Sequence, residues 1–186
     1  GGRNVTSTYG VPPRSYLLEN VGGQYIDVAE SLAPGLGAVG MVTDAQWLDY
    51  DADGLLDLAV IGEWMSLELW HNEGSSFQRD TASMPLHSSG WWNCLEAADL
   101  DGDGDLDLVA GNLGLNSTLK ATPQTPCELY VSDFDANGYS EAILCRYYEG
   151  RSYPFVSRDE LLKQIVSLRR RFPNYQIYAE ATINDI

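Results

Sequence analysis

The chain is 186 residues long and 44% apolar, with 27 acidic side chains against 11 lysines and arginines, a formal net charge of −16. That apolar share and five tryptophans exclude an acidic disordered tail, and the length suffices for one sizeable core. The charge makes nucleic acid and anionic membrane poor partners, and no run of apolar residues is long enough for a membrane span.

Charge is unevenly placed. Residues 1–145 carry 22 acidic and 4 basic side chains, whereas residues 146–186 carry 5 and 7. Two regions are therefore expected: a repeat region over 1–145 and a more basic continuation over 146–186. With no initiator Met and no signal pattern at Gly1, the chain reads as a processed product or a fragment. Cys94, Cys127 and Cys145 have no zinc or redox spacing; Cys127 and Cys145 either pair across a hairpin or all three are buried free thiols.

In chain order, "LLENVGGQYIDVAE" reads as a strand, an N-x-G turn at Asn20 and an aromatic strand through Tyr25. "AQWL" follows as a short strand, then "DYDADGLLDL" from Asp49 and the apolar run "LDLAVIG", a buried strand. "ELWHNEGSSFQRDTA" repeats the first hairpin, with Asn72 and Phe77 each 52 residues beyond Asn20 and Tyr25. "CLEAA", "DLDGDGDLDL" from Asp99 and "LDLVAGN" then repeat the strand–loop–strand at a spacing of 50. A third copy, "ELYVS", "DFDANGYSEA" from Asp133 and "SEAILC", comes only 34 residues later, and "NLGLNSTLKATPQTP" replaces the hairpin due there. A period of about fifty residues with four short strands predicts β-propeller blades.

The three acidic loops, 49–57, 99–107 and 133–141, share one pattern, D-x-D-x-[DN]-G-x-x-[DE]. Oxygens at positions 1, 3 and 5 converge if the loop coils about a point, and Gly54, Gly104 and Gly138 permit the sharp turn at position 6. The carbonyl of position 7 and the carboxylate of position 9 complete a set of hard oxygen ligands suited to Ca²⁺ rather than Mg²⁺. The loops hold 12 of the 27 acidic groups, and three Ca²⁺ would bring the formal charge from −16 to −10. An EF-hand is excluded, because position 12 is Val60, Ala110 or Leu144 where a bidentate Glu is required.

These loops, with the preceding N-x-G-x-x-[YF] segments and "AGNLGLN", resemble FG-GAP/VCBS repeats, the calcium-loop blades of integrin-α-type β-propellers. "PPRSYLLENVGGQY", "GWWNCLEAADLDGDGDLDLVAGNLGLNS" and "YPFVSRDELLKQ" are similar to secreted bacterial VCBS-repeat proteins. The resemblance implies a mainly β fold of antiparallel four-stranded blades, here a partial propeller of about three blades with one C-terminal helical insertion. It implies metal ligands at Asp49, Asp51, Asp53, Leu55 and Asp57, and at Asp99, Asp101, Asp103, Asp105 and Asp107. In the third loop they are Asp133, Asp135, Asn137, Tyr139 and Glu141, with Asn137 making this the weaker site. It also implies an extracellular, cell-surface or periplasmic setting, a protein or glycan ligand, and further blades in a longer chain.

The tail segment "SRDELLKQIVSLRRRFPN" predicts a helix over about 158–171, capped by Ser157 and Glu160, with Leu161, Ile165, Leu168 and Phe172 as its apolar stripe. Arg169, Arg170 and Arg171 suit its C-terminal end, and a solvated basic face is preferred over an arginine-lined ligand site. His71 and His87 read as surface residues without a nucleophile or zinc pattern, and no G-x-S-x-G, H-E-x-x-H or phosphate loop occurs. Trp70, Trp91 and Trp92 read as core rather than sugar platforms. The sequence thus favours a non-catalytic, calcium-stabilised binding or adhesion scaffold; the alternative is part of a propeller-based carbohydrate-active enzyme such as a polysaccharide lyase.

Overall fold

The computed structural model describes residues 1–6, 8–114 and 117–186, in two compact units. One comprises Gly1–Val5 and Pro12–Gly114, the other Thr6–Val11 and Leu115–Ile186. Leu115 and Asn116, within the "AGNLGLN" segment, lie outside the described residues. Among the described residues no helix is long and apolar enough to cross a membrane.

The first unit opens with the hairpin β1 (Leu18–Val21) and β2 (Gln24–Asp27), in which the Gly23 N–H donates to Asn20 Oδ1 at 2.9 Å. A short helix, α1 (Ala29–Leu32), connects it to the main sheet. There β3 (Met41–Leu48), β4 (Asp57–Met65), β5 (Glu68–Asn72) and β6 (Phe77–Asp80) form an antiparallel meander, each paired with the next. This is the four-stranded blade expected from the repeat. Its phase is now fixed: a blade is an acidic-loop hairpin together with the N-x-G hairpin that follows it.

β4 explains why the blade holds. Its sequence "DLAVIGEWM" is buried almost throughout, as a strand covered on both faces must be. Because side chains alternate, Leu58 and Val60 join one core with Ala33, Leu36, Val42 and Trp70. Ala59 and Ile61 join a second core with Leu48, Leu69 and Leu95 on the opposite face. Gly62 is required where β3 passes, since a Cβ there would collide with the Met41 carbonyl. At Trp64, with φ of 58°, the strand bulges, and its ring lies 5.6 Å from that of Trp91.

β7 (Gly90–Ala98) and β8 (Asp107–Asn112) form the next acidic-loop hairpin and join β4 through Glu63 and Met65. Side chains of β3 reach across to β7: Thr43 Oγ1 donates to the Trp92 carbonyl at 2.9 Å, and Gln46 Nε2 to that of Leu95 at 3.1 Å. No strand follows β8 among the described residues before β9 (Cys127–Ser132), so the second blade lacks its outer hairpin, as the shortened spacing implied.

In the second unit β9, β10 (Glu141–Tyr148) and β11 (Arg151–Pro154) form a sheet of order β11-β10-β9. One face packs on α2 (Arg158–Gln164), whose Ser157–Glu160 capping box is present as expected. The helix is shorter than the expected 158–171. It ends at Ile165, where φ is −119° and ψ 86°, and resumes as a 3-10 turn over Val166–Arg169. Two adjacent β-branched residues, Ile165 and Val166, disfavour continued α-helix. The apolar stripe survives the break: Leu161, Ile165, Leu168 and Phe172 are all buried. Arg158 closes the open end, donating Nε to the Phe172 carbonyl at 2.8 Å and Nη2 to that of Pro173 at 3.0 Å. A further short helix, α3 (Tyr175–Tyr178), is capped by Asn174.

The cysteines are free thiols. Cys127 lies opposite Arg146 and Cys145 opposite Glu128, one residue out of register, so their side chains leave opposite faces of the sheet and cannot bridge. Only Cys145 is fully buried; Cys127 is half-buried and Cys94 exposed, against the expectation of three buried thiols. Burial first, and then the Glu128 carboxylate, push the Cys145 thiol up to about 12.

Candidate metal loops

Each acidic loop joins the two long strands of a hairpin: 49–57 between β3 and β4, 99–107 between β7 and β8, and 133–141 between β9 and β10. All three use one internal hydrogen-bond scheme. The position-1 aspartate accepts from the Gly N–H at position 6: Gly54 to Asp49 at 2.9 Å, Gly104 to Asp99 at 3.2 Å and Gly138 to Asp133 at 2.8 Å. The position-5 side chain accepts from the N–H two residues on: Leu55 to Asp53 at 2.8 Å, Asp105 to Asp103 at 3.1 Å, and Tyr139 to Asn137 at 2.8 Å. The position-9 carboxylate accepts from position 2: Tyr50 to Asp57 at 3.2 Å, Leu100 to Asp107 at 3.0 Å and Phe134 to Glu141 at 3.0 Å.

This coiling gathers carboxylates. Asp49, Asp51 and Asp53 each bring an oxygen within 4.8 Å of the others, as do Asp99, Asp101 and Asp107, and Asp133, Asp135 and Glu141. In the third loop Asp135 Oδ1 is buried without a hydrogen-bond partner, an acceptor oriented as a cation ligand would be. The donor set is all oxygen in these trios, which fits a hard divalent cation. Asp103 is not brought into the second trio. The exposed carboxylate of Asp105, two residues on, hydrogen-bonds with that of Asp103. The contact holds Asp105 above the usual carboxylate range and Asp103 below it.

Two features of the loops are absent from the sequence reading. The first is a left-handed backbone at position 4 as well as position 6: φ is 60° at Ala52, 79° at Gly102 and 55° at Ala136. Only the glycine of the second loop adopts this without strain, and a small residue at position 4 of every copy is the signal that marks it.

The second is His71. Expected at the surface, it lies half-buried on β5 with Nδ1 3.1 Å from Asp51 Oδ2 and 3.3 Å from Asp57 Oδ1. Asp57 is fully buried, and its Oδ1 also accepts from the Asn72 N–H at 2.7 Å, while Asn72 Nδ2 donates to the Leu56 carbonyl at 2.9 Å. The N-x-G turn is therefore attached to the first loop, which brings the adjacent histidine with it. The other expectations for aromatic and imidazole groups hold in part: Trp70 is core, Trp91 and Trp92 are half-buried, and His87 is exposed.

Residues 49–110, about a third of the chain, match the model of the FG-GAP-like repeat, beginning at the first acidic loop and ending in β8. This stretch is similar to an FG-GAP-like repeat. The match covers the first acidic loop, β4–β6, β7, the second acidic loop and the start of β8, whereas β3 and the third loop lie outside it. No curated protein matches the chain. A mainly β, antiparallel, partial propeller-like fold is what the repeat entails, and the blade formed by β3–β6 is its structural counterpart.

Proposed function

We propose that the chain is a calcium-stabilised propeller segment serving as a non-catalytic extracellular binding scaffold. The observation that carries the calcium reading is the convergence of three carboxylates in each of three loops. Two of these loops lie in the FG-GAP-like stretch. Asp49, Asp51, Asp53 and Asp57 would hold one ion; Asp99, Asp101, Asp103 and Asp107 a second; Asp133, Asp135, Asn137 and Glu141 a third, with the carbonyls of Leu55, Asp105 and Tyr139 completing the sets. A carboxylate chelating calcium is unavailable as an acid or base, so the loops staple strands rather than perform chemistry. Extracellular calcium modules bind at roughly 10⁻⁴–10⁻³ M, which suits a calcium-rich outside compartment. The lyase alternative requires a base beside a sugar cleft; Lys163 instead sits exposed on α2.

Thermal melting in excess chelator tests this. The midpoint falls on chelation and returns with Ca²⁺ more than with Mg²⁺; a melting curve indifferent to chelator overturns the metal reading.

A further inference from the structure

The second unit contains a cleft of about 460 Å³, a volume typical of small-molecule sites. The sheet register decides which side chains face it. Glu128 lies opposite Cys145, Tyr130 opposite Ile143, and Tyr147 opposite Ser152, so these side chains share one face of the sheet. Part of that face is covered by the α2 core. The rest carries Glu128, Tyr130, Tyr147 and Ser152 and meets the turn at Thr182–Asn184. Arg151 also borders the cleft, but it pairs with Tyr148, and its side chain leaves on the other face.

The charge on this face has no counterpart. Glu128 is half-buried, and no side chain that shares its sheet face is cationic. It forms no ion pair among the described residues. Tyr130 Oη donates to Glu128 Oε2 at 3.1 Å, and Ser152 Oγ donates to the same oxygen. Two neutral donors thus hold the carboxylate in one orientation and leave its charge uncompensated, while Oε1 takes no hydrogen bond from the described residues. A charge drawn partly out of water without a partner costs stability unless something else supplies one. The cleft therefore offers a fixed anionic acceptor beside two tyrosines.

We infer that this cleft binds a primary ammonium group carried on a short alkyl arm. The ammonium donates to Glu128 Oε1 in a charge-assisted hydrogen bond. The tyrosine rings supply apolar surface for the arm and a π face for the cation. Asn184, exposed on the bordering turn, offers a side-chain oxygen to a second N–H. A calcium ion fits less well, because it takes six to eight oxygens, several from carboxylates, and this face carries one carboxylate. A small alkylamine and a lysine side chain share the ammonium chemistry. The inference goes beyond the scaffold reading and does not depend on calcium in the loops.

Titration of the full chain in calcium with butylamine, Nα-acetyl-lysine methylamide, butanol and butyrate, followed by saturation-transfer NMR and calorimetry, tests it. At least one of the two amines binds saturably. Butanol and butyrate bind about tenfold more weakly or not at all, the loss expected for one charge-assisted contact. Tighter binding of the lysine amide points to a peptide side chain as the source, and tighter binding of butylamine to a free amine. Glu128→Gln keeps an oxygen for Tyr130 and Ser152 and lowers amine affinity by about tenfold or more. Diffuse attraction to the acidic surface would scarcely register the loss of one charge in sixteen. In the unsubstituted protein, nuclear Overhauser contacts join the amine's methylenes to the Tyr130 or Tyr147 ring, and these decide the matter if Glu128→Gln does not fold. Absence of binding by both amines at millimolar concentration overturns the inference. So does equal binding of butanol, unchanged amine affinity in folded Glu128→Gln, or absence of contacts to both rings.

Discussion

The first and second acidic loops have nearly the same sequence and different surroundings. In the first, the position-9 carboxylate of Asp57 is fully buried and holds two backbone N–H groups, one from Tyr50 within the loop and one from Asn72 in the hairpin that follows. In the second, the corresponding Asp107 is half-buried and holds only the Leu100 N–H. Position 2 differs likewise: Tyr50 donates its hydroxyl to Asp80 on β6 at 2.7 Å, whereas Leu100 is 64% exposed. The first loop is tied to its own outer hairpin, and the second has no such hairpin among the described residues to be tied to. Under the calcium reading an acidic loop has two sources of order, the cation and the following hairpin, and the two loops draw on the hairpin in different proportion.

The largest test is removal of the position-9 carboxylate. Asp57→Ala strands two N–H groups beside a buried core and should cost about 3 kcal/mol or more, at 1–3 kcal/mol for each unsatisfied buried group. Asp107→Ala should cost about 1 kcal/mol in chelator, because its single donor reaches solvent. Urea unfolding in chelator measures both, and equal losses would break the distinction between the loops. Asn72→Ala comes next: it removes the Leu56 contact and the bond from the Gly74 N–H to Asn72 Oδ1, for about 1–2 kcal/mol in total. Under the calcium reading it weakens the first site and leaves the second unchanged, which calcium titration of paired variants resolves.

How much of this was legible follows from the same contrast. Patterns local in sequence were readable: the loops, the Ser157–Glu160 cap, the apolar stripe of Leu161, Ile165, Leu168 and Phe172, and the missing hairpin after β8. Relations set by which hairpin packs on which loop were not. The periodic sequence does not say whether an N-x-G hairpin joins the acidic loop before or after it, and so nothing placed Asn72 and His71 beside Asp57. The break at Ile165 escaped for a related reason, since a stripe at helical spacing is kept whether or not the α-helix is continuous. Cys127 and Cys145 needed the β9–β10 register, and a shift of one residue reverses the answer. Glu128 belongs to no motif; only the sheet register sets it beside Tyr130 and Ser152.

A smaller effect concerns position 4, where the loops differ in the opposite sense. Ala52 and Ala136 adopt left-handed backbone that Gly102 adopts freely. Ala52→Gly and Ala136→Gly should each stabilise by about 0.5–1 kcal/mol, the relief of αL strain less the extra chain entropy of glycine. Gly102→Ala should destabilise by a similar amount, about 1 kcal/mol. Differential unfolding of the three variants reads the sign directly, and stabilisation by Gly102→Ala would show that the shared backbone geometry is not retained in solution.

The smallest expected effect tests the Tyr50–Asp80 tie through pH. Hydrogen bonds from Ser83 and then from Tyr50 hold the Asp80 carboxyl well below the usual carboxylate range. Burial and then Asp80 hold the Tyr50 hydroxyl above its own. A depressed carboxyl contributes stability that is present above its unfolded value near 4 and fades as pH falls toward its folded value. A raised phenol contributes stability that is complete below about pH 10 and is lost as pH rises through its folded value. The tie is therefore at full strength between these limits. Asp80→Asn keeps an acceptor and removes the charge, so it should lower stability at pH 7 by about 0.5 kcal/mol, as for a partly exposed charge. It should also flatten the acid limb of the stability profile below about pH 4. Tyr50→Phe removes the donor and should produce the same flattening only in part, because Ser83 still holds Asp80. No counterpart exists at Leu100, so Leu100→Tyr should leave the acid limb unchanged; the tie acts only where a hairpin stands behind the loop to receive it.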